Sequence, residues 1–185
     1  MAVLSLMGYL SSKAIIQTSA GNEMSQCLSV AMGSIEMSLS NNRMVAETMA
    51  RGVEAVQRQA VKGEQTASDW DAAAYQEILT SFVGSNPETF GGGIWFEPYQ
   101  YRPEQRYFSP YCMRQNGAVT YVDNYSLGEG VYYTDQDWYT NAANTTQKSV
   151  WSAPYYDEFA QISMVTSSAP IYDETGRFLG VATAD

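Results

Sequence analysis

From about Tyr9 to Gln59 the chain runs without a proline and is built mainly from good helix formers. Apolar residues recur at Met24, Leu28, Ala31 and Ile35, and again at Met49, Val53, Val56 and Ala60. Steps of three and four residues place each set on one stripe of a helix. Gly33, Gly52 and the Asn41-Asn42 pair weaken this segment, but nothing in it ends a helix. The pattern predicts one long helix, kinked near Asn41, or two helices in line; two helices folded back on each other are the alternative. One small domain cannot cover a helix of that length. Its natural uses are a dimer seam or a rod leading from a membrane. The opening stretch Met1 to Leu10 is apolar yet too short to span a bilayer. It reads equally as the tail of a transmembrane helix or as a frayed helix start.

Lys62 to Ser68 is a polar break, and we set the division there: residues 1–64 as the long helix, residues 65–185 as a separate module. Ser68-Asp69 offers an N-cap for a helix from Trp70 to Val83, which Gly84-Ser85-Asn86-Pro87 stops. The pattern then changes to short runs rich in aromatic and β-branched residues. Strands are predicted over Gly92–Glu97, Gln105–Arg114, Ala118–Asp123, Gln161–Tyr172 and Arg177–Ala184. Asn116-Gly117 and Asp173-Glu174-Thr175-Gly176 supply hairpin turns. Asp135 to Thr145 reads as a short helix between the strand groups. The fold class is α+β, with one mainly antiparallel sheet and a helical crossover.

Charge is split along the same division. Residues 1–64 carry five basic and five acidic side chains, so the net charge of −10 belongs entirely to the remainder. An acidic surface repels phosphates, which argues against nucleic acid and anionic lipid headgroups as partners. The chain has no histidine, and its two cysteines, Cys27 and Cys112, stand far apart with no metal or redox spacing. A disulfide between them would tie the helix to the module. No cofactor or metal site is indicated. The carboxylate pairs Asp135/Asp137 and Asp157/Glu158 give no reason to expect an acid–base separation, so an enzyme is not expected.

The aromatic residues, 14 Tyr and 4 Trp among them, lie almost wholly after Trp70. Several gather with acids in the crossover: Asp135-Gln136-Asp137-Trp138-Tyr139, then Trp151-Ser152-Ala153-Pro154-Tyr155-Tyr156-Asp157. Aromatic faces attract a cation and carboxylates neutralise it, so such a wall suits an amine. Packing of the sheet is the competing use of the same rings.

The order "DWY", a Trp-to-"PYYD" segment, "PIYD", "TGRFLGV" and a closing Asp resembles the membrane-distal module of the double-Cache family. Its members are PAS-like extracytoplasmic sensors of bacterial chemoreceptors, sensor histidine kinases and diguanylate cyclases. The upstream "GGGIWFEP" and the long helix fit the same pattern. The resemblance implies a periplasmic or extracellular sensing domain of a cell-membrane receptor, anchored by segments outside this chain or at its start and paired as a homodimer through the N-terminal helix. It also implies a small-molecule site between sheet and crossover. In the amino-acid-sensing branch, Arg-x-Trp-Tyr holds the ligand carboxylate, while Tyr-x-Asp and a later Asp hold its amino group. Carried over, Trp138 and Tyr139 match the Trp-Tyr, Tyr155 and Asp157 match Tyr-x-Asp, and Asp185 matches the last acid. Tyr132 or Tyr133 matches an earlier tyrosine. The Arg position holds Gln136, and a neutral amide cannot replace guanidinium's two charge-assisted bonds. The expected ligand is an amine or amino-acid-like molecule that keeps the amine grip and lacks the carboxylate clamp. Arg102, Arg106 and Arg114 remain as substitute cations. The second expectation is a module that pairs helices without binding a ligand.

Overall fold

The computed structural model describes residues 2–60, 72–122, 125 and 130–185. Helix α1 (Ala2–Ala60) is a single element and stays helical through Asn41 and Asn42, so the folded-back pair does not form. The chain divides into two units, Met1–Ser38 and Leu39–Asp185. The boundary drawn at residue 64 lies outside the described residues, as does the expected cap at Ser68-Asp69. In the first unit Met24, Leu28 and Ile35 are about 60% exposed or more. No helix among the described residues is long and apolar enough to cross a membrane. Cys27 is an exposed free thiol, and Cys112 is a buried one.

In the second unit, a six-stranded antiparallel sheet has the order β3-β2-β1-β8-β7-β4. Its strands are β1 (Gly91–Phe96), β2 (Tyr111–Gln115), β3 (Ala118–Val122), β4 (Val150–Trp151), β7 (Ser167–Tyr172) and β8 (Phe178–Ala184). A separate hairpin pairs β5 (Tyr155–Asp157) with β6 (Ile162–Met164). The expected turn at Asn116-Gly117 forms with positive φ at both residues, the geometry of a type I′ hairpin. Two predicted strands are shorter than expected. Pro110 has no N–H to continue a ladder, so β2 begins only at Tyr111. The run Gln161–Tyr172 splits into β6 and β7, with Thr166 between them.

Strand alternation gives the sheet two unlike faces. On one, Ile94, Phe96, Cys112, Ile171, Ala182 and Ala184 meet Val45, Met49 and Val53 of α1 and Tyr75, Leu79 and Val83 of α2 (Ala72–Ser85), all buried. The four-residue steps Met49–Val53 and Tyr75–Leu79–Val83 place these side chains on single stripes. Asn42, read from sequence as a weak point, is buried and accepts a 2.6 Å hydrogen bond from the Thr89 hydroxyl. The other face is aromatic. Trp95, Tyr111, Met113 and Val181 lie there beneath the crossover, in which a 3₁₀ turn (Tyr133–Asp135) leads into α3 (Asp137–Ala143).

Helix α1 also closes one side of the sheet. β4 pairs with β7 only at Ser167 and Ser168. Further along β7, Arg51 donates to the Pro170 carbonyl at 2.8 Å, and the Tyr172 N–H donates to Glu54 at 3.0 Å. Arg51 and Glu54 are themselves an ion pair at 2.8 Å. Just before β4, the Ser149 hydroxyl donates to Glu47 of α1 at 2.6 Å.

Candidate functional site

The aromatic face is organised around Trp95, which has four rings packed against it. Its ring lies 4.8 Å from that of Trp138, 5.3 Å from Tyr125, 5.5 Å from Tyr133 and 5.7 Å from Tyr111. The indole N–H donates to the Thr183 hydroxyl of β8 at 2.8 Å, which fixes the ring against the sheet. Glycines at 91 and 93 leave that face of β1 bare. A Cβ on Gly91 would overlap the Tyr111 hydroxyl, and one on Gly93 would come within 2.9 Å of its ring. Tyr111 of β2 therefore lies across β1 and reaches β8.

There it meets Asp185. The backbone of Asp185 is pinned to the start of β1, its N–H donating to Gly91 at 2.9 Å and its carbonyl accepting from Phe90 at 2.7 Å. Its carboxylate accepts from Tyr111 at 2.8 Å and from Thr166 at 2.6 Å. A hydroxyl has one proton, so Thr166, donating to Asp185, accepts from Tyr155 at 2.8 Å. The second acid, Asp157, sits on the β5–β6 hairpin. Its Oδ1 accepts from the Tyr125 hydroxyl at 2.5 Å and from the Ala160 N–H at 2.7 Å. Both acids are almost fully enclosed, Asp157 at 6% exposure and Asp185 at 9%.

Between them is a small cavity of about 10 Å³, lined by Trp95, Tyr111, Tyr125, Trp138, Tyr155, Asp157, Met164, Thr166, Thr183 and Asp185. An outer cleft of about 260 Å³ shares Trp138, Tyr155 and Asp157 with it and adds Val131, Gln136, Tyr156 and Glu158. Among the described residues, no basic side chain lines either space. The electrostatics follow from that. Burial lifts the Asp185 carboxyl from 3.8 to about 6; the Thr166 and Tyr111 hydrogen bonds oppose the rise and the Asp157 charge adds to it. Burial likewise raises Tyr111, Tyr125 and Tyr155, and the nearby carboxylates push them further, so all three are neutral donors. Two enclosed carboxylates concentrate negative charge in this aromatic box, and burying that charge is costly.

Of the candidates read from sequence, Trp138, Tyr155, Asp157 and Asp185 converge on the inner cavity, and Gln136 lines the outer cleft. Three do not line either space. Tyr133 donates to the Phe96 carbonyl at 2.6 Å, and Tyr139 donates to Glu97 at 2.7 Å. Tyr132 stacks on Tyr107 at 5.1 Å near the surface. The substitute cations are also committed elsewhere. Arg102 lies over Tyr101, Arg106 over Tyr107, and Arg114 donates to the carbonyls of Val83, Asn86 and Thr89 at the end of α2. Trp95, Tyr111, Tyr125, Thr166 and Thr183 line the cavity without having been singled out as site residues. The triple glycine of β1 was the available signal for Tyr111.

The family model describing the first PDC sensor domain of methyl-accepting-chemotaxis-protein-like proteins matches residues 75–185. The chain belongs to this family. A PDC sensor domain of this kind is a receptor module and not a catalytic one. Solved structures share the fold. The extracellular domain of a protein described as a histidine kinase, mmHK1S-Z3, matches with TM-score 0.63 and 23% identity, over 82% of this chain and 53% of that one. A second, soHK1S-Z6, matches with TM-score 0.54 and 26% identity, over 85% of this chain and 62% of that one. The ligand-binding domain of the Pseudomonas fluorescens chemoreceptor CtaA, solved with L-alanine, matches with TM-score 0.52 and 16% identity, over 89% and 58%. This PDC sensor domain thus spans a little over half the length of the structures it resembles. No curated protein matches it by sequence.

Proposed function

We propose that this PDC domain is the extracytoplasmic sensing part of a membrane signalling receptor and that it binds a ligand through a positively charged amine. The observation that carries this reading is the pair of buried carboxylates, Asp157 and Asp185, in an aromatic box whose lining, among the described residues, has no basic side chain. An ammonium group there replaces lost hydration with ring faces and charge-assisted hydrogen bonds. Both contacts of Asp157 fall on Oδ1, which leaves Oδ2 to accept from the ligand. Gln136 lines the outer cleft at the position where the amino-acid-sensing pattern has arginine, so a ligand carboxylate meets a neutral amide and two further acids, Asp157 and Glu158. That lining favours amines over α-amino acids.

Signalling follows as a population shift: a ligand acts only through the difference in its affinity for two arrangements. Thr166 is the physical link. Its hydroxyl holds Asp185, and its backbone exchanges hydrogen bonds with Ser152, whose N–H donates to the Thr166 carbonyl and whose hydroxyl accepts the Thr166 N–H, both at 2.9 Å. Ser152 follows β4, and Ser149 before β4 is bonded to Glu47 of α1. A ligand that draws Asp185 and Thr166 inward therefore acts on the segment tied to the helix. Pairing of two chains through α1 completes the receptor we propose.

Titration of the purified domain against amines and against α-amino acids, read by calorimetry and thermal shift, tests the ligand class. Amines are expected to bind and raise the melting temperature. Stabilisation by ordinary α-amino acids with none by amines overturns the reading. A domain indifferent to both, yet dimeric, favours helix pairing without a ligand.

A further inference from the structure

The two spaces share Trp138, Tyr155 and Asp157 but differ in size, and that difference defines the ligand more narrowly. The inner cavity, about 10 Å³, has room for one water-sized group. A primary ammonium is of that size; a trimethylammonium is several times larger. The remainder of any ligand has to lie outside it, and the cleft of about 260 Å³, which shares Trp138, Tyr155 and Asp157 with the cavity, is the adjoining space. That cleft has volume for a short alkyl chain, and its lining is not wholly apolar. Glu158 contributes a carboxylate, and Gln136 contributes an amide whose nitrogen already donates to the Tyr132 carbonyl at 3.3 Å, which leaves its oxygen as the group to accept a donor. Among the described residues, the charged groups lining the two spaces are Asp157, Asp185 and Glu158, and all are acids.

We infer that the ligand is a linear diamine with a primary amine at each end, one ammonium seated between Asp157 and Asp185 and the other held in the outer cleft by Glu158 and the Gln136 carbonyl. The inference rests on the amine reading above and adds the second cation subsite and the exclusion of bulky ammonium heads. The aromatic walls take the methylene chain, and cation–ring attraction acts at both ends.

The test uses the full chain and four probes in calorimetry: n-butylamine, 1,4-diaminobutane, 1,5-diaminopentane and N,N,N-trimethylbutylammonium. At least one diamine is expected to bind about fivefold or more tightly than butylamine, a size in keeping with a partly solvated second ion pair. The trimethylated probe is expected to bind at least tenfold more weakly than butylamine. Glu158→Gln, an exposed position, is expected to bring the diamines down to the affinity of butylamine. Equal affinities for mono- and diamines, or a diamine advantage that survives Glu158→Gln, overturns the second subsite while leaving the amine reading intact. Tight binding of the trimethylated probe overturns the size limit on the seat. Failure of all four probes overturns the amine reading itself.

Discussion

The Tyr111 hydroxyl crosses two glycine positions of the neighbouring strand to donate to Asp185 at 2.8 Å. The two residues stand on β2 and beyond the end of β8, with β1 between them, so the bond depends on both strand registers and on the bare glycine surface beneath the ring. Substituting Gly91→Ala places a methyl group where the Tyr111 hydroxyl lies. Expelling the tyrosine or shifting the strand should cost about 1–3 kcal/mol, seen as a lowered midpoint in urea. The double variant Gly91→Ala/Tyr111→Phe should recover part of that loss, because the overlapping oxygen is gone.

Asp185 makes the domain's stability depend on pH in a direction set by burial. Its carboxyl titrates near 6 in the fold against 3.8 unfolded, so the folded form holds its proton more tightly. That contribution is fully present below pH 3.8 and is lost as pH rises through about 6; at most it amounts to about 3 kcal/mol. Amine affinity should run the other way, rising as Asp185 ionises and levelling above pH 7. Asp185→Asn should flatten both profiles. Urea midpoints and calorimetric affinities measured from pH 4.5 to 8 check the two trends together.

Asp157 supplies the second charge of the seat, with Tyr125 and the Ala160 N–H holding its Oδ1. Asp157→Asn keeps an acceptor for those donors but removes the charge. Amine affinity should fall by about 2–3 kcal/mol, roughly thirtyfold or more, with a smaller change in unliganded stability. An affinity unchanged by this substitution would remove Asp157 from the site.

Gln136 invites the reverse experiment. Gln136→Arg puts a guanidinium in the lining of the outer cleft, which it shares with Asp157 and Glu158. Binding of α-amino acids should appear in thermal-shift measurements, and amine binding should weaken through repulsion between like charges.

The broad fold could be read from sequence because its signals are local: a proline-free helical stripe, turn residues such as Asn116-Gly117, and alternating strands. Pro110 and the break at Thr166 shortened two strands because a missing N–H and a hydroxyl turned to Asp185 outweigh residue preference. The site was legible only in part. Trp138 and Tyr139 are consecutive on α3 and so point about 100° apart; only Trp138 reaches the cavity, while Tyr139 turns to Glu97. Tyr111, Thr166 and Trp95 belong to the site through cross-strand pairing, which no spacing along the chain reveals. Tyr125 joins it from the connection after β3, where neither a helical nor a strand period applies.

The way α1 meets β7 bears on how the protein survives in solution. An open strand edge presents free amide and carbonyl groups to any other extended chain, and that is a common start of aggregation. Here the edge beyond β4 offers Pro170, which has no N–H, a Pro170 carbonyl taken by Arg51, and a Tyr172 N–H taken by Glu54. Three helix side chains, Glu47 among them, thus act as a hem along a border that the two-residue strand β4 is too short to cover. Shelf life and resistance to fibril seeding should therefore depend on polar residues of a helix, whose loss leaves that border open.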